Sequence, residues 1–188
     1  MNQDKQVLDR ASEQPQTRNE GASKPVSVWY DLGMLGLKIA VIAVIIVVLF
    51  TFFYGLHYNT EPGMNPAVKD GDLVLYYRLS KDFNARDLAL VYFQGEVQVR
   101  RVVAKAGDII DITEQGLIIN GALQLESEIY ETTELFFDGP DFPMTLGADE
   151  VFVLGDSREN AADSRLYGAI HKEDTLGKVI TILRRRNL

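Results

Sequence analysis

Residues 88–103 read Leu88-Ala89-Leu90-Val91-Tyr92-Phe93, then Gln94-Gly95-Glu96, then Val97-Gln98-Val99-Arg100-Arg101-Val102-Val103. Two runs rich in β-branched and aromatic residues flank a short break that contains glycine, which is the pattern of a β-hairpin. Similar runs stand on both sides. Asp72–Arg78 precedes the hairpin; Ile109–Ile112, Leu117–Ile119, Glu150–Leu154 and Gly177–Leu183 follow it. Asn120-Gly121 supplies a second hairpin signal, because both residues tolerate the positive φ of a type I′ turn. No long stretch here carries a helical period, so the sequence predicts an all-β domain over residues 58–188.

Upstream the chemistry changes. Ile39–Leu56 is almost wholly apolar. These roughly 18 residues would make about 27 Å of helix, close to the thickness of a bilayer's hydrocarbon core. Trp29 and Tyr30 precede the run and Tyr54, His57 and Tyr58 close it, as interfacial aromatics do. A buried core helix and a cleaved signal peptide are the alternatives. The run is long for the latter, and no Ala-x-Ala site follows closely. The expectation is one transmembrane helix over residues 34–57. Residues 1–33 form a cytoplasmic tail, whose polar stretch to Ser27 lacks the apolar side chains that would order it.

Charge sets the expected orientation. Lys5, Arg10, Arg18, Lys24 and Lys38 precede the apolar run, and the next basic residue is Lys69. The positive-inside rule then places the N-terminus in the cytoplasm and residues 58–188 outside the cell membrane, in a single pass. The outer part carries 14 Lys and Arg against 22 Asp and Glu, which accounts for the whole net charge of −8. That acidity argues against nucleic acid as a partner. The chain has no cysteine and two histidines, leaving no disulfide framework and no candidate metal cluster. No glycine-rich phosphate loop is present, so no cofactor is expected.

Ser127–Asp149 carries Glu128, Glu131, Glu134, Asp138 and Asp141 with no basic residue, and holds Gly139-Pro140 and Pro143. It reads as a solvated loop or an acidic docking surface, within a cap-like excursion over residues 112–149.

Four segments carry a resemblance. They are Pro62-Gly63-Met64-Asn65-Pro66, Gly71–Leu75, Arg100-Arg101-Val102-Val103-Ala104-Lys105-Ala106-Gly107-Asp108, and Gly155-Asp156-Ser157-Arg158-Glu159-Asn160-Ala161-Ala162-Asp163-Ser164-Arg165-Leu166-Tyr167-Gly168. In order and spacing they are similar to the boxes of the type I signal peptidase family, peptidase S26, and the single anchor fits its Gram-positive members. The resemblance spans about residues 35–179 and implies a signal peptidase/LexA-like β-barrel-type domain. In that family a serine attacks the scissile carbonyl and a buried lysine of lowered pKa takes its proton. Here the matching positions hold Gly63 and Arg100. A third position, where a serine orients the lysine, holds Ala161. Glycine has no nucleophile, and a guanidinium stays protonated near neutrality.

Other parts of the family pattern persist. Met64 and Pro66 remain beside Gly63. The resemblance implies pairing of Asp156 with Arg101 and of Asp163 with Arg165, in a box that also keeps Arg158 and Ser164. Arg100 is either an ordinary exposed strand residue or fills the former site against a carboxylate, since an unpaired buried guanidinium is costly. Ser80, Ser157, Ser164, Lys69 and Lys105 match no catalytic position; His57 and His171 read as surface or interface residues.

The resemblance therefore implies an inactive signal peptidase-like member similar to those of Gram-positive pilus assembly loci. Such a protein is expected to be a membrane-anchored chaperone or scaffold for sortase-linked pili, with pilin subunits or sortase as partners. The alternatives are an active type I signal peptidase and an accessory subunit of one.

Overall fold

The computed structural model describes residues 28–184; the expectations for residues 1–27 and for the last four residues lie outside that range. Helix α1 spans Val28–Val48, and a π-helical turn, Leu49–Phe53, extends it. Together these 26 residues are long and apolar enough to cross a membrane. Two predicted boundaries change. Residues 28–33, assigned to the tail, are helical. The helix ends at Phe53 rather than at residue 57, because Tyr54–Tyr58 is a strand, β1. Pairing of Tyr54–Tyr58 with Leu73–Tyr77 makes the strand, and the glycine inside it permits the close approach. A Cβ on Gly55 would lie 2.2 Å from the ring of Tyr76, so the absent side chain lets β1 close onto its neighbour.

The remaining strands are β2 (Leu73–Tyr77), β3 (Leu88–Phe93), β4 (Glu96–Lys105), β5 (Ile109–Thr113), β6 (Gly116–Ile119), β7 (Ala122–Leu123), β8 (Met144–Thr145), β9 (Glu150–Leu154), β10 (Ile170–His171) and β11 (Thr175–Leu183). One short helix, α2, covers Ser164–Tyr167. The domain is mostly β, as expected, and all its pairings are antiparallel. Seven strands form a sheet in the order β1-β2-β11-β3-β4-β9-β10, and four form a second in the order β7-β6-β5-β8. Both predicted turns appear. Gln94 and Gly95 have φ of 50° and 90°, and Asn120 and Gly121 have 53° and 78°, so each joins its strands through two residues of positive φ.

The alternation of β3 sorts the core. Leu90 packs with Met64, Val68, Val74 and Val99, while Ala89 and Val91 pack with Phe83, Val102, Val151 and Val153. A third cluster, built around Ile110, Ile112, Leu117 and Phe152, lies under the second sheet. Each cluster is apolar and buried, so burial of hydrocarbon rather than cross-linking holds the domain together.

The expected excursion over residues 112–149 divides in two. Its first part is sheet, because β6 and β7 form the hairpin at Asn120-Gly121. Its second part is tied at some points and open at others: Glu126, Glu131 and Thr133 bond to the segment that follows β9, while Glu128, Glu134, Asp138 and Asp141 stay exposed.

Candidate functional site

Strand β4 delivers consecutive arginines to opposite faces, as strand geometry requires. Arg100 has no exposed surface. Its guanidinium meets three groups. Nη1 and Nη2 donate to the two carboxylate oxygens of Glu61, the Nη2 bond being 3.0 Å long. Nε donates to the Ala162 carbonyl at 2.9 Å, and Nη1 also donates to the Val99 carbonyl at 2.6 Å. The two possibilities for Arg100 are thereby resolved in favour of the buried, paired one. A fork-to-fork ion pair of this kind answers the cost of burying the charge.

Gly63 and Ala161 close the same spot. A Cβ built on Gly63 would stand 3.2 Å from the Ala161 Cβ and 3.3 Å from Arg100 Nη1. Three positions read from three separate segments thus converge on one point. No hydroxyl or amine comes from any of them. Below that point Met64 is fully buried in the core, while Pro66 is exposed on the turn that follows. Gly155 is pressed equally close, with its missing Cβ position 2.1 Å from the Ala161 Cβ and 2.6 Å from the Gly63 carbonyl oxygen. The Ser157 amide donates to that same oxygen at 3.1 Å, tying the first segment to the last.

The bracing pairs form where the resemblance places them. Arg101 Nε and Nη2 donate to the two oxygens of Asp156 at 2.7 and 2.5 Å. That hydrogen bonding raises the Arg101 pKa against the opposing effect of burial. Arg165 Nε donates to Asp163 Oδ1 at 2.9 Å and Nη2 to Oδ2 at 2.9 Å. Asp163 also caps α2 by accepting from the Arg165 amide, and its Oδ2 accepts from the Gly155 amide. One carboxylate therefore fixes both the glycine turn and the helix start. Ser164 Oγ accepts from the Val153 amide at 3.0 Å, which occupies that hydroxyl structurally.

Arg158 is 1% exposed. It donates from Nε to the Gly155 carbonyl, from Nη1 and Nη2 to Glu126, and from Nη1 to Thr133 Oγ1. Burial lowers its pKa and raises that of Glu126, each against the attraction of the other charge. Glu131 accepts from the Ser157 hydroxyl and the Glu159 amide, and the Glu134 carbonyl accepts from Arg165. The acidic excursion is therefore a strap over the most specific segment. Residue identity alone did not show the pairings with Glu61, Glu126, Glu131 and Thr133. The available signal was charge imbalance: a stretch of carboxylates without cations, and a later segment with two buried arginines.

Of the remaining candidate hydroxyls, Ser157 bonds to Glu131 and Ser164 to the Val153 amide. Among the described residues, the one lysine–hydroxyl hydrogen bond joins Lys81 Nζ to Thr175 Oγ1 at 3.2 Å. Thr175 is 2% exposed and donates to the Lys172 carbonyl. No cluster of three or more metal-ligating side chains occurs among the described residues. His57 is partly buried in β1, where burial lowers its pKa, and His171 is exposed beside Glu150.

An antiparallel β-domain, an apolar N-terminal helix and a braced segment over residues 155–168 are the features that the family comparison bears on. The chain belongs to the family described as "Signal peptidase, peptidase S26", whose pattern matches residues 33–183. A protein named probable signal peptidase I-2 from Synechocystis sp. is 25% identical over 87% of this chain and 77% of its own length. Signal peptidase I P from Bacillus subtilis subsp. natto is 28% identical over 75% and 83%, respectively. Signal peptidase I from Bacillus caldolyticus is 29% identical over 73% and 84%. A crystal structure of a signal peptidase I from Enterococcus faecalis V583 is similar with a TM-score of 0.44 and 22% identity, over 53% of this chain and 97% of that one.

Proposed function

We propose that this chain is a non-cleaving member of its family: a membrane-anchored chaperone or scaffold that holds an extended polypeptide segment during assembly of sortase-linked pili, with pilin or sortase as partner. The observation that supports loss of cleavage is the buried Arg100–Glu61 pair beside the point where Gly63 meets Ala161. A general base must exist in a deprotonated form near its working pH. Arginine does not, and Glu61 faces a permanent cation rather than a hydroxyl.

Retained binding has its own support. Residues 96–100 of β4 pair with β3 on one side, while pairing with β9 begins only at Arg101. That leaves residues 96–100 with no strand paired on the second side; Gln98, Val99 and Arg100 are buried there, so an extended segment would add its main-chain hydrogen bonds at the Glu96–Val97 end. Arg100 already occupies the Val99 carbonyl, so the segment would add to the edge short of that oxygen. The helix over Val28–Phe53 would anchor the domain outside the cell membrane with the N-terminus inside, in accordance with the charge asymmetry.

A second reading is an active signal peptidase, which the names of the relatives favour. A third is an accessory subunit of such an enzyme. Photocrosslinking separates them. A crosslinkable residue placed at Val97 in the full chain, in its native membrane, is expected to capture pilin or sortase. Capture of a second, active signal peptidase would move the assignment to the accessory role. Capture of secretory precursors that are then released shortened would establish the active one.

A further inference from the structure

Arg86 sits in the left-handed region with φ of 77°, an uncommon conformation for a residue with a side chain. It is fixed there from both sides. Its amide donates to the Val102 carbonyl at 2.8 Å, and its own carbonyl accepts from Arg101 Nη1 at 3.1 Å. The side chain so placed lines a cavity of about 110 Å³ between β4, β6 and the strap. By the same measure a water molecule needs about 10–15 Å³, so the space suits a branched side chain rather than a folded element. Gly63, Arg100 and Ala161 are not among its walls.

The cavity's apolar walls include Val103, Leu117, Ile119 and Ile129. Two ionic groups line it from different elements: Arg86 from the loop before β3, and Glu128 from the strap. Among the described residues neither side chain makes an ion pair or a hydrogen bond, although the Glu128 charge acts at a distance on Arg101. Arg101 and Glu126, which also line the cavity, are already engaged with Asp156 and Arg158. The hole is half apolar and half polar, with one free cation and one free anion among its walls, so it can take an apolar anchor flanked by ionic groups. The Arg86 backbone is already fixed, so binding would order only the exposed Arg86 and Glu128 side chains.

We propose that this pocket docks a segment of a protein partner that presents an apolar residue between an acidic residue, which pairs with Arg86, and a basic residue, which pairs with Glu128. The assignment does not depend on whether the chain cleaves, because the pocket shares no wall with the Gly63–Arg100–Ala161 point. Occupation would place the partner against Arg101 and Glu126, the side chains that brace residues 155–168.

The test uses the full chain in lipid nanodiscs, with labelled isoleucine, leucine and valine methyl groups observed by NMR. The probes are the capped peptide acetyl-Asp-Leu-Lys-amide, its reverse-order isomer, the glycine-centred analogue acetyl-Asp-Gly-Lys-amide, and free leucine. One of the two leucine-centred peptides should shift the Ile119 and Ile129 methyl signals saturably at millimolar concentration. The glycine analogue should not. Arg86→Gln and Glu128→Gln should each weaken binding at least fivefold while leaving the thermal midpoint unchanged. Four results would overturn the assignment: no saturable shift with either peptide, equal binding of the glycine analogue, no effect of either substitution, or tighter binding of free leucine than of the peptides.

Discussion

The guanidinium of Arg100, with no exposed surface, is gripped by both carboxylate oxygens of Glu61 at the point where Gly63 and Ala161 meet. Glu61 lies two residues before Gly63, so one short segment supplies both the empty position and the counter-charge for Arg100. The ion pair is a strut between the Gly63 segment and β4. Its partners are unequal: Arg100 is fully buried, while the Glu61 side chain keeps 25% of its exposure.

That asymmetry sets the outcome of removing Glu61. Truncating one partner of a buried pair leaves an uncompensated charge, at a cost of about 3–5 kcal/mol. Partial exposure of Glu61 admits water to the vacated space and places Glu61→Ala near the lower end, about 3 kcal/mol. Urea denaturation of the full chain in detergent checks this. A loss below about 1 kcal/mol would show that the pair is not a strut.

On the proposed non-cleaving reading, placing a serine and a lysine at positions 63 and 100 should not by itself give cleavage. In Gly63→Ser with Arg100→Lys, the new ammonium would face Glu61, and a nearby carboxylate holds a lysine in its charged form. The new serine must also be accommodated, since its Cβ would lie 3.2 Å from Ala161. The double variant is expected to show no turnover of a preprotein substrate. Adding Glu61→Ala and Ala161→Ser should allow detectable cleavage that increases with pH as the lysine deprotonates. Efficient cleavage by the double variant alone would contradict the role given to Glu61.

The strap carries a pH signature. Burial raises the Glu126 pKa above its ordinary value of 4.5, against the opposing pull of Arg158. A raised carboxyl pKa means that the folded state favours the protonated form. The group's contribution is then fully present below its unfolded pKa and declines as pH rises through the folded one. Relative to the wild type, Glu126→Gln should become more favourable as pH rises from about 4 to 7. Denaturation curves at those two pH values test the sign; an opposite trend would mean that the Arg158 attraction outweighs burial.

Much of this architecture is legible in the chain. The runs Leu88–Phe93 and Glu150–Leu154 coincide with β3 and β9, because alternating or continuous β-branched residues have few other ways to be buried. Tyr54–Tyr58 continues the apolar run in composition, yet it is a strand through pairing with Leu73–Tyr77, a contact that local composition does not encode. At the site, the convergence of Gly63, Arg100 and Ala161 follows from the family resemblance. The partners Glu61, Glu126, Glu131 and Thr133 required the structure, since they reach across 25 to 39 residues to their arginine or serine. Sequence spacing says nothing about contacts at that range unless both charges are already placed.

The most direct test of the central claim is proteolysis by the purified full-length chain in liposomes, using a preprotein with an Ala-x-Ala site and mass spectrometry of the products. The expected result is intact preprotein after prolonged incubation, with the crosslink from Val97 still formed. Cleavage after the Ala-x-Ala site, abolished by substituting one hydroxyl or amine of this chain, would contradict it.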